Sequence, residues 1–290
     1  MKKLAFYLFM VLVIASLPNC TENHDAEPPP QTVWGVHWEG YDVFLKSFEL
    51  NSRIERSIPL EDFNYPPENL IYNRMDHELL FSSINKGALF RMDLDNREIS
   101  KILNLGHEVS GLKLDPINKA LYGLINTKGS WFVLKIDLEQ EQPDLIASIP
   151  APAVEPGKVA AAINPADNKY YTAIEDSLYM FDYQKEELVK SVKLKIVNLE
   201  YNPFHDKLNG IYFSDYYYHF AWMDPDLSNV KSKKFAKEIP ALGYNSTINT
   251  HNGEYLFQGN GYEMHIVEQH GIIKKTMPVK IEDHYEFQGN

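Results

Sequence analysis

"GLKLDPINKALYGLIN", residues 111–126, reads as two short apolar strands around a turn. Leu112 and Leu114 alternate with polar neighbours, Asp115 to Lys119 make the turn, and Ala120-Leu121-Tyr122 begin the second strand. An Asx side chain can accept hydrogen bonds from backbone amides just beyond it, and proline presets the next φ. The pattern returns in "LIYNRMDHELLF" (70–81), "AAINPADNKYYT" (161–172), "LEYNPFHDKLNG" (199–210) and "STINTHNGEYLF" (246–257). The turn-opening residues Asn73, Asp115, Asn164, Asn202 and Asn249 are separated by steps of 42, 49, 38 and 47 residues. Units of this length, built of strands without helical periodicity, have the spacing of a four-stranded propeller blade.

The second half of each unit recurs too: an apolar strand ending on an acid (Asp93, Asp137, Asp182, Asp224, Glu268), a polar turn and a more polar strand. Each full unit thus supplies strands a, b, c and d. Two fragments remain. Residues 33–58 hold b, c and d without a, and residues 285–290 hold one strand, with Asn290 lying 41 residues beyond Asn249. The fold expected is all-β, a six-bladed β-propeller in which the C-terminal strand completes the N-terminal blade and leaves no open seam. Five or seven blades are the alternatives, and seven would need roughly 300 residues at this spacing. One domain, residues 32–290, accounts for the repeats, with a longer loop at 59–69 between the first two blades.

Residues 1–19 have the layout of an export signal, Lys2-Lys3 followed by the apolar run Leu4 to Leu17, too short to span a bilayer comfortably. Cys20, the only cysteine, follows directly, and residues 20–31 form a polar, proline-ended tether. Without a second cysteine, stability must come from a hydrophobic core. Net charge is −12, and cleavage would remove Lys2 and Lys3 to leave −14. Such acidity argues against binding nucleic acid or anionic headgroups through a basic face.

The leader resembles that of bacterial, Bacteroidota-like envelope lipoproteins, in which the cysteine is lipidated; Asn19 departs from the small residue usual before it. "NPADNKYY" and "DPINKALYG" resemble the hairpins of YVTN and NHL-type propellers. That resemblance implies a fold rather than an activity, since such rings include lactonases, phytases, sialidases, quinoprotein dehydrogenases and pure binding modules. "DSL" at Asp176 to Leu178 is similar to the short acceptor of Bacteroidota protein O-glycosylation.

The chain carries no GxSxG, phosphate-loop, GxGxxG, HExxH or CxxC motif. Candidate binding residues are therefore polar groups on the d-to-a and b-to-c loops, which gather at one channel mouth. They are Glu39, His107, Glu108, Glu155, Glu175, Asp176, Asp215, Tyr216, Tyr244, Asn260, Asp283 and His284. Their carboxylates would suit a hard cation such as calcium and their histidines acid–base work. The acidic turns at Asp93/Asp95 and Asp224/Asp226 lack the glycine and distal glutamate of a calcium loop and read as solvated turns. In residues 210–224 strand alternation sends Tyr216, Tyr218, Phe220 and Trp222 to one face and Tyr217 and His219 to the other, much of it for packing. The leading expectation is a lipid-anchored, monomeric envelope ring that binds a protein, glycan or small molecule. A calcium-dependent lactonase or phosphoesterase is the alternative. A quinone-dependent redox ring has least support, because all five arginines, Arg53 to Arg97, lie in the first two blades.

Overall fold

The computed structural model describes residues 32–39, 42–50, 55–61, 63, 68–83, 87–152, 159–236, 239, 246–259, 263–278 and 288–289. They form six four-stranded antiparallel sheets. Blade 1 holds β1 (Thr32–Glu39), β2 (Asp42–Glu49) and β3 (Glu55–Pro59); blade 2 holds β4 (Glu68–Asn73), β5 (Glu78–Ser83), β6 (Ala88–Asp93) and β7 (Ile99–Asn104). Blade 3 holds β8 (Val109–Asp115), β9 (Ala120–Thr127), β10 (Ser130–Asp137) and β11 (Gln142–Ile149). Blade 4 holds β12 (Ala160–Asn164), β13 (Lys169–Ile174), β14 (Ser177–Asp182) and β15 (Glu187–Lys193). Blade 5 holds β16 (Asn198–Asn202), β17 (Lys207–Ser214), β18 (Tyr217–Met223) and β19 (Lys231–Lys234); blade 6 holds β20 (Ser246–Ile248), β21 (Tyr255–Gln258), β22 (Glu263–Val267) and β23 (Ile273–Pro278).

The last strand, β24 (Gln288–Gly289), pairs antiparallel with β1 through Val33↔Gly289 and Trp34↔Gln288, so the two chain ends share one sheet. The first strands of successive blades pack on one another in the order β4, β8, β12, β16, β20, β24 and back to β4. They are the inner wall of a closed, six-bladed ring.

Both faces of each middle strand are covered by neighbouring blades, which is why β5 and β14 are buried along their whole length. An apolar cluster fills each gap between blades. Leu80, Leu89, Leu121 and Ile136 join blades 2 and 3. Trp131, Tyr170 and Phe181 join blades 3 and 4. Phe220, Tyr255 and Phe257 do the same for blades 5 and 6. Each such side chain contributes about 2 kcal/mol by leaving water, so no disulfide is needed. The c–d pairing carries a bulge in blades 2, 3, 4 and 6, between Leu89/Phe90, Val133/Leu134, Met180/Phe181 and Ile266/Val267. A bulge increases local twist, which swings the outer strand away from the inner wall.

Tyr218, Phe220 and Trp222 lie in or against the blade 5–6 cluster, as their alternation predicts. Tyr216 leaves that row because it is a turn residue at φ 67°, and the two-residue period of a strand does not run through such a turn.

Candidate binding surfaces

At the a–b end of the ring every repeated turn opens on a buried Asx. The Oδ1 atoms of Asn73, Asp115, Asn202 and Asn249 accept from the backbone N–H two residues later, that of Met75 (3.2 Å), Ile117 (2.9 Å), Phe204 (3.1 Å) and His251 (2.9 Å). Asn164 differs: Pro165 starts a short 3-10 turn, and the Asn164 side chain donates instead to Asp167 at 2.9 Å. The scaffold is tied between blades as well. Tyr183 Oη donates to Asp115 Oδ2 at 2.6 Å, and Asn202 Nδ2 donates to the Gly253 carbonyl at 2.7 Å. Burial and the Asp115 carboxylate together push the Tyr183 hydroxyl far above its ordinary range.

Holding the Asx inward leaves the residue two positions on pointing outward. Met75 is 78% exposed, Ile117 70% and Phe204 47%, and Ala166 and His251 occupy the matching places in blades 4 and 6. Because the a–b turns follow the inner strands, these residues surround the channel. Exposed acids stand in the same turns (Asp76, Asp206) and on the c–d turns farther out (Asp95, Glu139, Asp226), of which Asp95 and Glu139 are paired with His77 at 2.9 Å and Lys119 at 2.7 Å.

Below this rim a charge pair crosses the channel. Lys113 Nζ of β8 lies 2.9 Å and 3.1 Å from the two carboxylate oxygens of Glu200 on β16, and Ser246 Oγ of β20 donates to Glu200 at 3.3 Å. The bond skips blade 4, whose matching residue is Ala162. Lys113 and Glu200 each sit two residues before the turn Asx, about 7 Å of strand inside the rim. Their side chains are only 17% and 15% exposed. Burial raises the Glu200 carboxyl above its usual range, and the nearby ammonium only partly offsets this. Neither the apolar rim nor this pair was among the loop residues chosen from sequence. The signal was available in the aligned repeats: Met, Ile and Phe at turn tips, and Lys and Glu where other units carry Ile71, Ala162 and Thr247.

The loop residues selected from sequence fall at the opposite end. His107 is exposed and Glu108 half-buried on the link between β7 and β8, and Glu175–Asp176 and Asp215–Tyr216 are the hairpin tips of blades 4 and 5. Asp176 is tied within its own blade by Lys193 Nζ at 2.8 Å and by Ser177, and those bonds hold its carboxyl below the usual range. Glu155, Tyr244, Asn260, Asp283 and His284 lie outside the described residues, as do Cys20 and the leader; Glu39 is described only in its backbone. Among the described residues none of these side chains bonds to another across blades, and no three His, Cys, Asp or Glu side chains gather as ligands of a metal ion. The acidic turns are caps. Asp93 Oδ1 accepts from the N–H groups of Asp95 and Asn96, and the Asp224 carboxylate from Lys207, Ser228 and Asn229.

Blade 5 ends in the most exposed aromatic group. Asp215 and Tyr216 both have positive φ, 51° and 67°, as in the tight hairpin turn that normally takes Asn-Gly. Tyr216 is 91% exposed, beside the exposed Phe213 and Tyr217.

No protein-family profile matches the chain, and no curated protein matches it in sequence. Solved structures do resemble it. TolB from Acinetobacter baumannii superposes with a TM-score of 0.69 over 90% of this chain and 66% of its own, at 10% identity. The chain therefore spans just under two thirds of that TolB chain. The structure of a nidogen/laminin complex matches with a TM-score of 0.64 over 89% of this chain and 98% of the matched one, at 8% identity. These likenesses are to β-propellers, and at such identity they establish the fold alone. Among the described residues no helix is long and apolar enough to cross a membrane.

Proposed function

We propose that the ring is a protein-interaction module whose a–b end receives a partner segment carrying apolar side chains flanked by basic ones. The observation that carries this reading is the exposure of Met75, Ile117 and Phe204 at equivalent points around one channel mouth. Exposed apolar side chains on a stiff scaffold cost little ordering entropy on binding and form the buried centre of an interface, while acids around them favour a cationic partner. Glu200 and Lys113, paired in the channel, serve as its polar floor. The nidogen/laminin complex is a precedent for a similar ring recorded with a protein partner, without bearing on which surface is used here.

A photo-crosslinking residue placed at Met75, Ile117 or Phe204 in living cells should yield one discrete protein adduct, while the same residue at the exposed Leu145 of β11 should not. Equal labelling from both places, or none, would remove the reading. We further propose that the chain works at the bacterial envelope on a lipid attached to Cys20, supported by the leader and the cysteine that follows it. Cys20→Ala should move the protein from the membrane fraction to the soluble one; unchanged fractionation would exclude the anchor.

A further inference from the structure

Lysine is unevenly spread over this acidic protein. The outer strands of blades 4 to 6 carry Lys190 and Lys193 (β15), Lys231, Lys233 and Lys234 (β19) and Lys274 and Lys275 (β23). By contrast β7 holds only Lys101, and β11 holds no basic residue. Lysines on an edge strand deter pairing with other chains, but β11 is equally outermost and does without them, and β7 has a single one.

Between blades 5 and 6 the lysines line a cleft of about 440 Å3, with Lys233 on one wall and Ile272, Ile273, Lys274 and Lys275 on the other. The walls meet where Gly271 packs on Phe220 and Lys233; a Cβ there would lie 3.2 Å and 3.4 Å from them. Lys274 is held by Glu254 at 2.7 Å. Among the described residues Lys231, Lys233 and Lys275 make no ion pair. On the other face of β19, Lys234 Nζ lies 2.8 Å from the centre of the Tyr217 ring, so the lysines of this strand also reach the blade 5 hairpin. Exposed Tyr216, Phe213, Val230 and Ile272 flank the lysines.

We infer that this flank rests on a membrane surface, with the phosphate of an anionic lipid headgroup in the lysine-lined cleft. Ammonium groups near an anionic surface each add to binding, and tyrosines settle at headgroup depth with an apolar body and a polar tip. Free phosphate would gain nothing from the apolar residues around the cleft, which favours the lipid source. Net charge alone argues against anionic headgroups, but at a Debye length of about 8 Å the local lysines outweigh distant acids. The inference does not depend on the a–b end or on Cys20, since an anchor inserts in neutral and anionic bilayers alike.

The full chain is added to vesicles of phosphatidylcholine, and to vesicles in which about a third of the lipid is phosphatidylglycerol. Binding should be at least about tenfold tighter on the second, with hydrogen-exchange protection of residues 213–217 and 231–235 seen there alone. The Lys231→Glu, Lys233→Glu, Lys275→Glu variant should lose that difference while keeping its melting temperature and residual binding. Equal binding to both vesicles, protection confined to other blades, or an unchanged preference in the variant would overturn the inference. So would equally tight binding to double-stranded DNA, or equal protection by inorganic phosphate alone.

Discussion

The two ends of the ring close their hairpins in different ways. At the a–b end one device is repeated: a buried Asx caps the turn and its successor but one is turned outward. At the b–c end the described hairpins fill their turns with different residues and ties, although blades 3 and 5 share two successive positive-φ positions. Blade 3 uses Lys128-Gly129, with the Gly129 N–H donating to Asn126; blade 4 uses Glu175-Asp176 with a bond from Lys193; blade 5 uses Asp215-Tyr216. A repeated scaffold separates the atoms that hold a loop from those that face outward. At the a–b end the tips can therefore change chemistry without disturbing the fold, and at the b–c end tip and fold are the same residues.

The largest effect expected from this contrast lies under the a–b rim. Lys113→Met leaves the Glu200 carboxylate buried without its ammonium, which should cost roughly 3 kcal/mol at neutral pH in denaturant unfolding. The folded pKa of Glu200 is already raised by burial, so its contribution is present at low pH and lost as pH rises through that value. Removing Lys113 raises it further. The deficit of Lys113→Met should therefore shrink on acidification, and adding Glu200→Leu should recover most of it. A single variant as stable as the parent at every pH would separate the channel pair from the architecture of this end.

The next test divides one turn into its two halves. Asn202→Ala removes the cap on Phe204 N–H and leaves the buried Gly253 carbonyl without its donor, for a loss of roughly 2 kcal/mol. Phe204→Ala, two residues away, should change stability by no more than about 0.5 kcal/mol, yet reduce crosslinking from Met75 and Ile117. If the tip proves as costly as the cap, the two roles are not separated.

This division also explains what was legible in the sequence. The blade count and the closure by the C-terminal strand follow from the recurrence of Asn73, Asp115, Asn164, Asn202 and Asn249, because turn chemistry acts over two or three residues and leaves a local mark. The bond between Lys113 and Glu200 joins residues 87 positions apart and depends on the diameter of the closed ring, so no local pattern announces it. Met75, Ile117 and Phe204 stand between the two cases. Their repeat position is plain, but their exposure follows only once the Asx beside each is known to point inward. Selecting polar loop residues favoured the other end, where charge is used for local ties such as Asp176 with Lys193.

The smallest effect concerns the b–c end and can be read as an exchange between blades. Tyr216 stands in a left-handed conformation that costs a residue with a Cβ about 1 kcal/mol, whereas blade 3 places Gly129, at φ 81°, in the corresponding second position. Tyr216→Gly should therefore raise stability by up to about 1 kcal/mol, since relief of strain outweighs the added freedom of the unfolded chain. Gly129→Tyr should lower it by about the same amount or more. The flank inference adds a second readout, because Tyr216→Gly should also weaken attachment to anionic vesicles while leaving their preference over neutral ones intact. Stability gained together with membrane binding lost would mean that strain is kept at this tip for the exposed ring it displays. A neutral or destabilising Tyr216→Gly would instead make the tip an ordinary turn, no different in kind from those of blades 3 and 4.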